Sequence, residues 1–326
     1  MGTRTMTVIA ILGAIVVTVL TALSIFRSDA FRLTLAELRE VYATEQSQFM
    51  NIAGMSIHYQ DEGEGYPIVL IHGSEGTLRT WDAAVTAMKD RYRMIRLELP
   101  GRGLSAQVGP DELGDGVTLH GMVMELIGEL GVDGSFHLIG QSSGGTVATR
   151  VAANFPDRVE KVVVMNMPSS PVSVPRSARP NAVRRAMILN DDYLQFRTRG
   201  FWDTYYSYLW GAPERLSDEL VTLMYDQNRR VRAPMAIPLI PANFSPEQAN
   251  KNLEGVVAPT LVIWAMADPV LPPNQLAALT SRMTQAQLTI HELPTVGHFP
   301  ALEAPELIIP PIEAFLAADQ AVDVEQ

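Results

Sequence analysis

The chain has 326 residues, enough for one large α/β domain or one domain with an insertion, and its 47% hydrophobic content supplies a substantial core. A net charge of -11 with no Lys/Arg run argues against nucleic acid as a partner. The absence of cysteine excludes disulfides and thiolate metal sites, and the six histidines form no H-x-x-x-H pair, so no metal or cofactor is expected.

Residues 8–26 are an apolar run broken only by Gly, Thr and Ser. A helix needs about 20 such residues to cross a bilayer. A secretory h-region has about 7–15, and no A-x-A site follows, so residues 1–28 read as a retained single-pass anchor rather than a cleaved signal. Orientation cues oppose one another. Arg27, Arg32 and Arg39 follow the span and Arg4 precedes it, which favours a cytoplasmic domain. A short N-terminal tail ahead of a signal-like segment favours export, and the reading leans to the extracytoplasmic side. Next, Thr34 with Glu37 three residues on is a capping box. Leu35, Leu38, Val41 and Tyr42 share one helical face. Residues 29–47 therefore read as an amphipathic helix and linker, packed on the domain or on the membrane.

The domain begins at residue 48. Residues 49–52 and 55–59 flank Ala53-Gly54 as a hairpin. A short buried strand over 67–71 runs into His72-Gly73-Ser74-Glu75-Gly76. A helix over 80–88, a strand over 93–97, a sharp turn at 99–105 and a helix over 119–130 follow. Then comes an apolar run ending in Gly140-Gln141-Ser142-Ser143-Gly144-Gly145, with a helix-like pattern after it. This is the G-x-S-x-G nucleophile elbow in its strand-turn-helix context. The serine must stand on a sharp, strained turn, and the flanking glycines let strand and helix approach. A strand over 159–165 ends the first part of the domain, residues 48–168.

Alternation stops at Pro168-Ser169-Ser170-Pro171. Residues 169–253 carry no strand pattern and are rich in Arg and aromatics, which predicts a helical insertion. The second part, residues 254–326, resumes with a strand over 260–264, a helix over 274–279, a strand over 287–291 and a final helix after Glu303. Pro310-Pro311 should break or kink that helix. Strands alternating with helices imply an α/β fold with a mostly parallel central sheet and helices on both faces.

In this arrangement the sequence resembles the α/β-hydrolase superfamily, over residues 49–316. The matching residues are His72-Gly73, Leu99-Pro100-Gly101-x-Gly103-x-Ser105, Gly140-x-Ser142-x-Gly144-Gly145, Trp264-x-x-x-Asp268-x-x-x-Pro272 and Gly297-His298-Phe299. The order is most similar to the branch holding epoxide hydrolases, haloalkane dehalogenases and meta-cleavage-product hydrolases. The first two groups use an Asp nucleophile, whereas position 142 is Ser. Glu98 and Ala265 depart from the family pattern at sites judged remote from the chemistry.

The resemblance implies a Ser-His-Asp triad, and the chemistry argues for the same residues. A serine hydroxyl needs an adjacent base near neutral pH. His298, in a loop after the last strand, is placed to serve. Asp268, after the strand over 260–264, is an acceptor that fixes its tautomer. The chain order Ser142, Asp268, His298 is the one this fold uses. The rival acid position after the strand over 159–165 holds Asn166, not a carboxylate. An oxyanion hole is expected from the backbone N–H groups of Ser143 and Ser74. His72 is read as structural and Glu75 as a solvated loop charge. The insertion resembles the family's helical cap, and several of Trp202, Tyr205, Tyr206 and Trp210 are expected to face a substrate pocket.

These residues predict a membrane-anchored serine hydrolase acting on a small-molecule acyl substrate, cleaving carboxylic esters through an acyl-enzyme. One alternative is C–C bond hydrolysis of a diketone acid, which needs cap arginines such as Arg184, Arg185 or Arg197 in the pocket. Another is a weakly catalytic ligand-binding protein on the same fold.

Overall fold

The computed structural model describes residues 2–106, 114, 116–169, 174–231 and 251–318. Parts of the predicted insertion, at 170–173 and 232–250, and the C-terminal residues from 319 lie outside them.

The N-terminal run forms α1, Thr3–Arg27, and the capping box starts α2, Leu35–Tyr42. Both halves of the box are present: the Glu37 N–H donates to Thr34 Oγ1 at 3.2 Å, and the Thr34 N–H donates to Glu37 Oε2 at 2.8 Å. Helix α2 packs on the domain. Leu38 is buried, and Arg39 donates to Leu104 O and Ser56 Oγ.

Among the described residues eight strands form one sheet: β1 Gln48–Ile52, β2 Met55–Glu62, β3 Tyr66–Ile71, β4 Tyr92–Leu97, β5 Phe136–Gln141, β6 Val159–Met165, β7 Thr260–Ala265 and β8 Leu288–Leu293. Their order across the sheet is β1-β2-β4-β3-β5-β6-β7-β8. Strand β2 is antiparallel to β1 and β4, and every other pair is parallel. Between the strands run α3 Asp82–Met88, α4 Leu119–Glu129 and α5 Ser143–Asn154, with Asn274–Thr280 after β7 and Pro305–Ala317 after β8.

Successive strand side chains point to opposite faces, so apolar runs serve two cores. Val69, Ile71, Leu138, Val162 and Val164 pack with Val123, Leu126, Val147 and Val151 of α4 and α5. Ile68, Leu70, Ile139, Val163 and Met165 pack with Val85 and Met88 of α3 and with Ile308, Ile312 and Leu316 of the last helix. Each such side chain contributes about 1.5–3 kcal/mol by leaving water.

Pro310-Pro311 does not break the last helix, which is continuous over Pro305–Ala317. The two missing N–H groups belong with the carbonyls of Glu306 and Leu307, both exposed, so water can satisfy those carbonyls while Ile308 and Ile312 hold the helix on the core.

Between β6 and β7 the described residues are helical: α6 Asn181–Met187, a π-helical stretch Ile188–Leu194, α7 Arg199–Leu209 and α8 Asp218–Asn228. Sheet order also locates a crevice. Strand β3 lies between β4 and β5, so successive connections leave it on opposite sides. In open parallel sheets ligands bind outside the carboxyl ends of the strands at such a switch point. Here those ends are His72-Gly73-Ser74 after β3 and Ser142 after β5.

Candidate active site

Ser142 sits between the last residue of β5 and the first of α5. Its backbone is at φ 52 and ψ -127, where a non-glycine residue costs of order 1–3 kcal/mol. Close packing holds it there. A Cβ at Gly144 would lie 2.2 Å from Ile71 O, and one at Gly73 would lie 2.9 Å from Ser142 Cβ. Glycine at both positions lets the β3 loop and the head of α5 close around the serine.

Three side chains from separate loops then meet. Ser142 Oγ lies 3.1 Å from His298 Nε2, and His298 Nδ1 lies 2.7 Å from Asp268 Oδ2. Asp268 is 4% exposed and His298 8%, so the series is shielded from water. Among the described residues, the other hydrogen bonds to Asp268 all come from N–H donors. Val270 N and Leu271 N reach Oδ1 at 2.7 and 3.0 Å, and Asn166 Nδ2 reaches Oδ2 at 2.8 Å. Asp268 Oδ2 accepts a hydrogen bond from Nδ1–H, which leaves Nε2 without a hydrogen and able to accept from the serine hydroxyl.

Asn166 is a residue the sequence reading passed over as a position lacking a carboxylate. It ends β6 in a left-handed turn, φ 39. Its Nδ2 also donates to Ala265 O at 3.1 Å, and its Oδ1 accepts from Ala265 N at 2.8 Å. The amide thus ties the ends of β6 and β7 together and aims one N–H at Asp268. The one available signal was a polar residue at the carboxyl end of a buried strand.

The loop after β3 faces the head of α5. Ser74 Oγ donates to Ser143 Oγ at 2.8 Å. Among the described residues neither the Ser74 nor the Ser143 amide donates a hydrogen bond. Ser143 opens α5, so its N–H lies at a helix N-terminus, where negative charge is favoured. His72 holds this loop. It accepts from Leu99 N at Nε2, 3.1 Å, so its Nδ1–H donates to Gly73 O at 2.7 Å. Burial pushes its pKa down to about 4, which keeps it neutral.

Glu75 is not a solvated loop charge. Its side chain is 24% exposed, and burial pushes its carboxyl above the usual range against the pull of Arg197, Arg102, His298 and Arg179. Arg197 Nη1 lies 3.7 Å from Glu75 Oε1 and Nε donates to Asp191 Oδ1. Of the three arginines considered for an acidic substrate, only Arg197 comes here. Arg184 donates to Asn181 Oδ1 at the surface, and Arg185 is exposed.

The helical insertion meets the site at two places. Tyr206 Oη donates to Glu75 O at 3.5 Å, and the His298 N–H donates to Leu209 O at 2.7 Å. Beside the second contact, buried Glu303 accepts from Gly297 N, Ala212 N and Gly211 N at 2.8, 2.8 and 3.2 Å. One carboxylate so joins the end of α7 to the histidine loop. Sequence reading missed it, because its partners are 6, 91 and 92 residues away. The four aromatics divide. Trp202, Tyr206 and Trp210 are buried in one cluster that includes Phe299, while Tyr205 is half-buried beside Arg179. Tyr206 and Trp210 each pack on Phe299, itself 5.0 Å from the His298 ring.

Comparison with known proteins agrees with this architecture. The family described as Alpha/beta hydrolase family matches residues 68–310. The cis-3-alkyl-4-alkyloxetan-2-one decarboxylase of Shewanella oneidensis is 25% identical over 292 residues, 84% of this chain and 89% of that protein. The pimeloyl-[acyl-carrier protein] methyl ester esterase of Nitrosomonas europaea is 26% identical over 258 residues, covering 78% and 97%. Among solved structures, the meta-cleavage product hydrolase of Pseudomonas fluorescens superposes with a TM-score of 0.62 at 20% identity, covering 83% of this chain and 98% of that one. At that identity the likeness concerns the fold.

Proposed function

Because this chain belongs to the alpha/beta hydrolase family, we propose that it is a serine hydrolase of carboxylic esters or related acyl compounds. The observation that carries the reading is the hydrogen-bonded series Ser142, His298, Asp268 with Ser142 on a strained turn. His298 Nε2 takes the Ser142 proton as Oγ attacks the acyl carbonyl. Asp268 holds the ring and stabilises the imidazolium, and Asn166 holds Asp268. Negative charge on the carbonyl oxygen develops beside the Ser74 and Ser143 amides, where preorganised donors strengthen as charge forms. His298 then protonates the leaving alcohol, and water, activated by the same base, releases the acid.

The helix over Thr5–Arg27 is long and apolar enough to cross a membrane, and none of it is buried. A signal sequence meets the same description. We read it as a retained anchor, with the domain on the extracytoplasmic side.

A panel of p-nitrophenyl esters of increasing acyl length tests the activity. Turnover that follows acyl length supports the reading. No turnover of any ester by a protein that still binds acyl ligands would contradict it.

A further inference from the structure

We infer that the π-helical stretch Ile188–Leu194 of the insertion docks on the lipid bilayer beside α1. The inference rests on reading α1 as an anchor and adds a second membrane contact to it.

The exit of α1 is stitched to the insertion. Arg27 Nε and Nη2 donate to Tyr193 O at 3.1 and 2.9 Å, and Arg32 Nη2 donates to Gln195 O at 3.1 Å. Phe26, Phe31 and Phe196 pack together with ring centroids 4.9 to 6.1 Å apart. Further along, Leu33 N donates to Arg229 O at 3.1 Å and Val231 N to Leu33 O at 2.8 Å. Tyr42 Oη donates to Asp226 Oδ2 at 2.5 Å. These contacts fix the height of the insertion relative to the helix that leaves the membrane.

Length sets that height. The 23 residues of Thr5–Arg27 span about 35 Å, against a hydrocarbon core of about 30 Å. The turn holding Arg27 therefore emerges at headgroup level, and the stretch bonded to it lies at the same level. At that level the protein exposes large apolar side chains: Leu189 at 53%, Tyr193 at 57% and Ile188 at 40%, next to Ile25 and Phe31. Arg185, three and four residues before Ile188 and Leu189, is exposed on the same helical path. Asp191 and Asp192 within the stretch are paired with Arg176 and Arg197. The apolar residues with an aromatic and a flanking cation then match the composition that settles at a membrane interface, about 5–10 Å into the headgroup and acyl boundary.

The chain has no cysteine, so single labels report single places. Full-length Val16→Cys, Leu189→Cys and Ile290→Cys variants, carrying an environment-sensitive fluorophore, would be reconstituted in phosphatidylcholine/phosphatidylglycerol vesicles. Nitroxide lipids are the quencher. Val16 lies mid-span, and Ile290 is exposed on edge strand β8. The inference predicts severalfold quenching at 16 by deep nitroxides and at 189 by shallow ones, with none at 290. Quenching at 16 with position 189 at the level of 290 overturns it, including the case where 189 is shielded by protein rather than lipid. Absence of quenching at 16 overturns the anchor reading and the inference with it.

Discussion

At the residue scale, the site is a row of donors and acceptors whose members differ in what they touch. In the proposed mechanism Ser142 and His298 touch the reacting atoms, so removing either should cost the same. His298→Ala should match Ser142→Ala in kcat, because the pair acts as one unit. Asp268→Asn should lose less, still at least about a hundredfold, since the ring keeps its place but meets a donor. A silent Asp268→Asn would mean that another carboxylate orients His298. Asn166→Ala removes one hydrogen bond to a buried charge, a loss of about tenfold to a hundredfold in kcat with KM unchanged. Glu75 gives a pH prediction. Its folded pKa is raised by burial, so its contribution to stability is full below the unfolded value of about 4.3 and is lost as pH rises through the folded value. Glu75→Gln should therefore gain stability on the parent as pH rises from about 4 toward neutral, read from urea midpoints. A difference that is flat with pH would show that the carboxyl is not desolvated.

At the scale of elements, much was legible because it is local. The capping box of α2, the hairpin at Ala53-Gly54 and the elbow at Ser142 each need only neighbours within about five residues, and short apolar runs marked the strands. What escaped depends on partners distant in sequence. Asn166 was judged by what it lacks, whereas its role is set by Ala265 and Asp268, which belong to the next strand and loop. Glu75 looked solvated because the residues that cover it, Arg197 and Tyr206, come from the insertion. The expectation that Pro310-Pro311 could break the last helix weighed the two lost N–H groups and not the buried face that keeps it continuous. Glu303 joins two elements through three backbone N–H groups, so Glu303→Gln should destabilise the fold by about 2–3 kcal/mol. A fall in the denaturant midpoint with unchanged slope is the expected result. Unchanged stability would mean that the end of α7 and the histidine loop hold together without it.

At the scale of the whole molecule, the buried His72 and His137 should make the fold sensitive to acid. The pKa values of His72 and His137 are pushed down to about 4 by burial, and both are neutral in the fold. Depressed values give stability that is full above the unfolded pKa of about 6.5 and lost as pH falls toward about 4. Thermal unfolding should show a falling midpoint across that window. The central claim, however, is that this architecture exists to activate one serine. The most direct measurement is intact mass after treatment with a fluorophosphonate, on the parent and on Ser142→Ala. The account predicts one adduct on the parent, mapped to Ser142, and none on the folded variant, with ester turnover lower by about a thousandfold or more. An adduct on Ser142→Ala, or full ester turnover by it, would contradict the account.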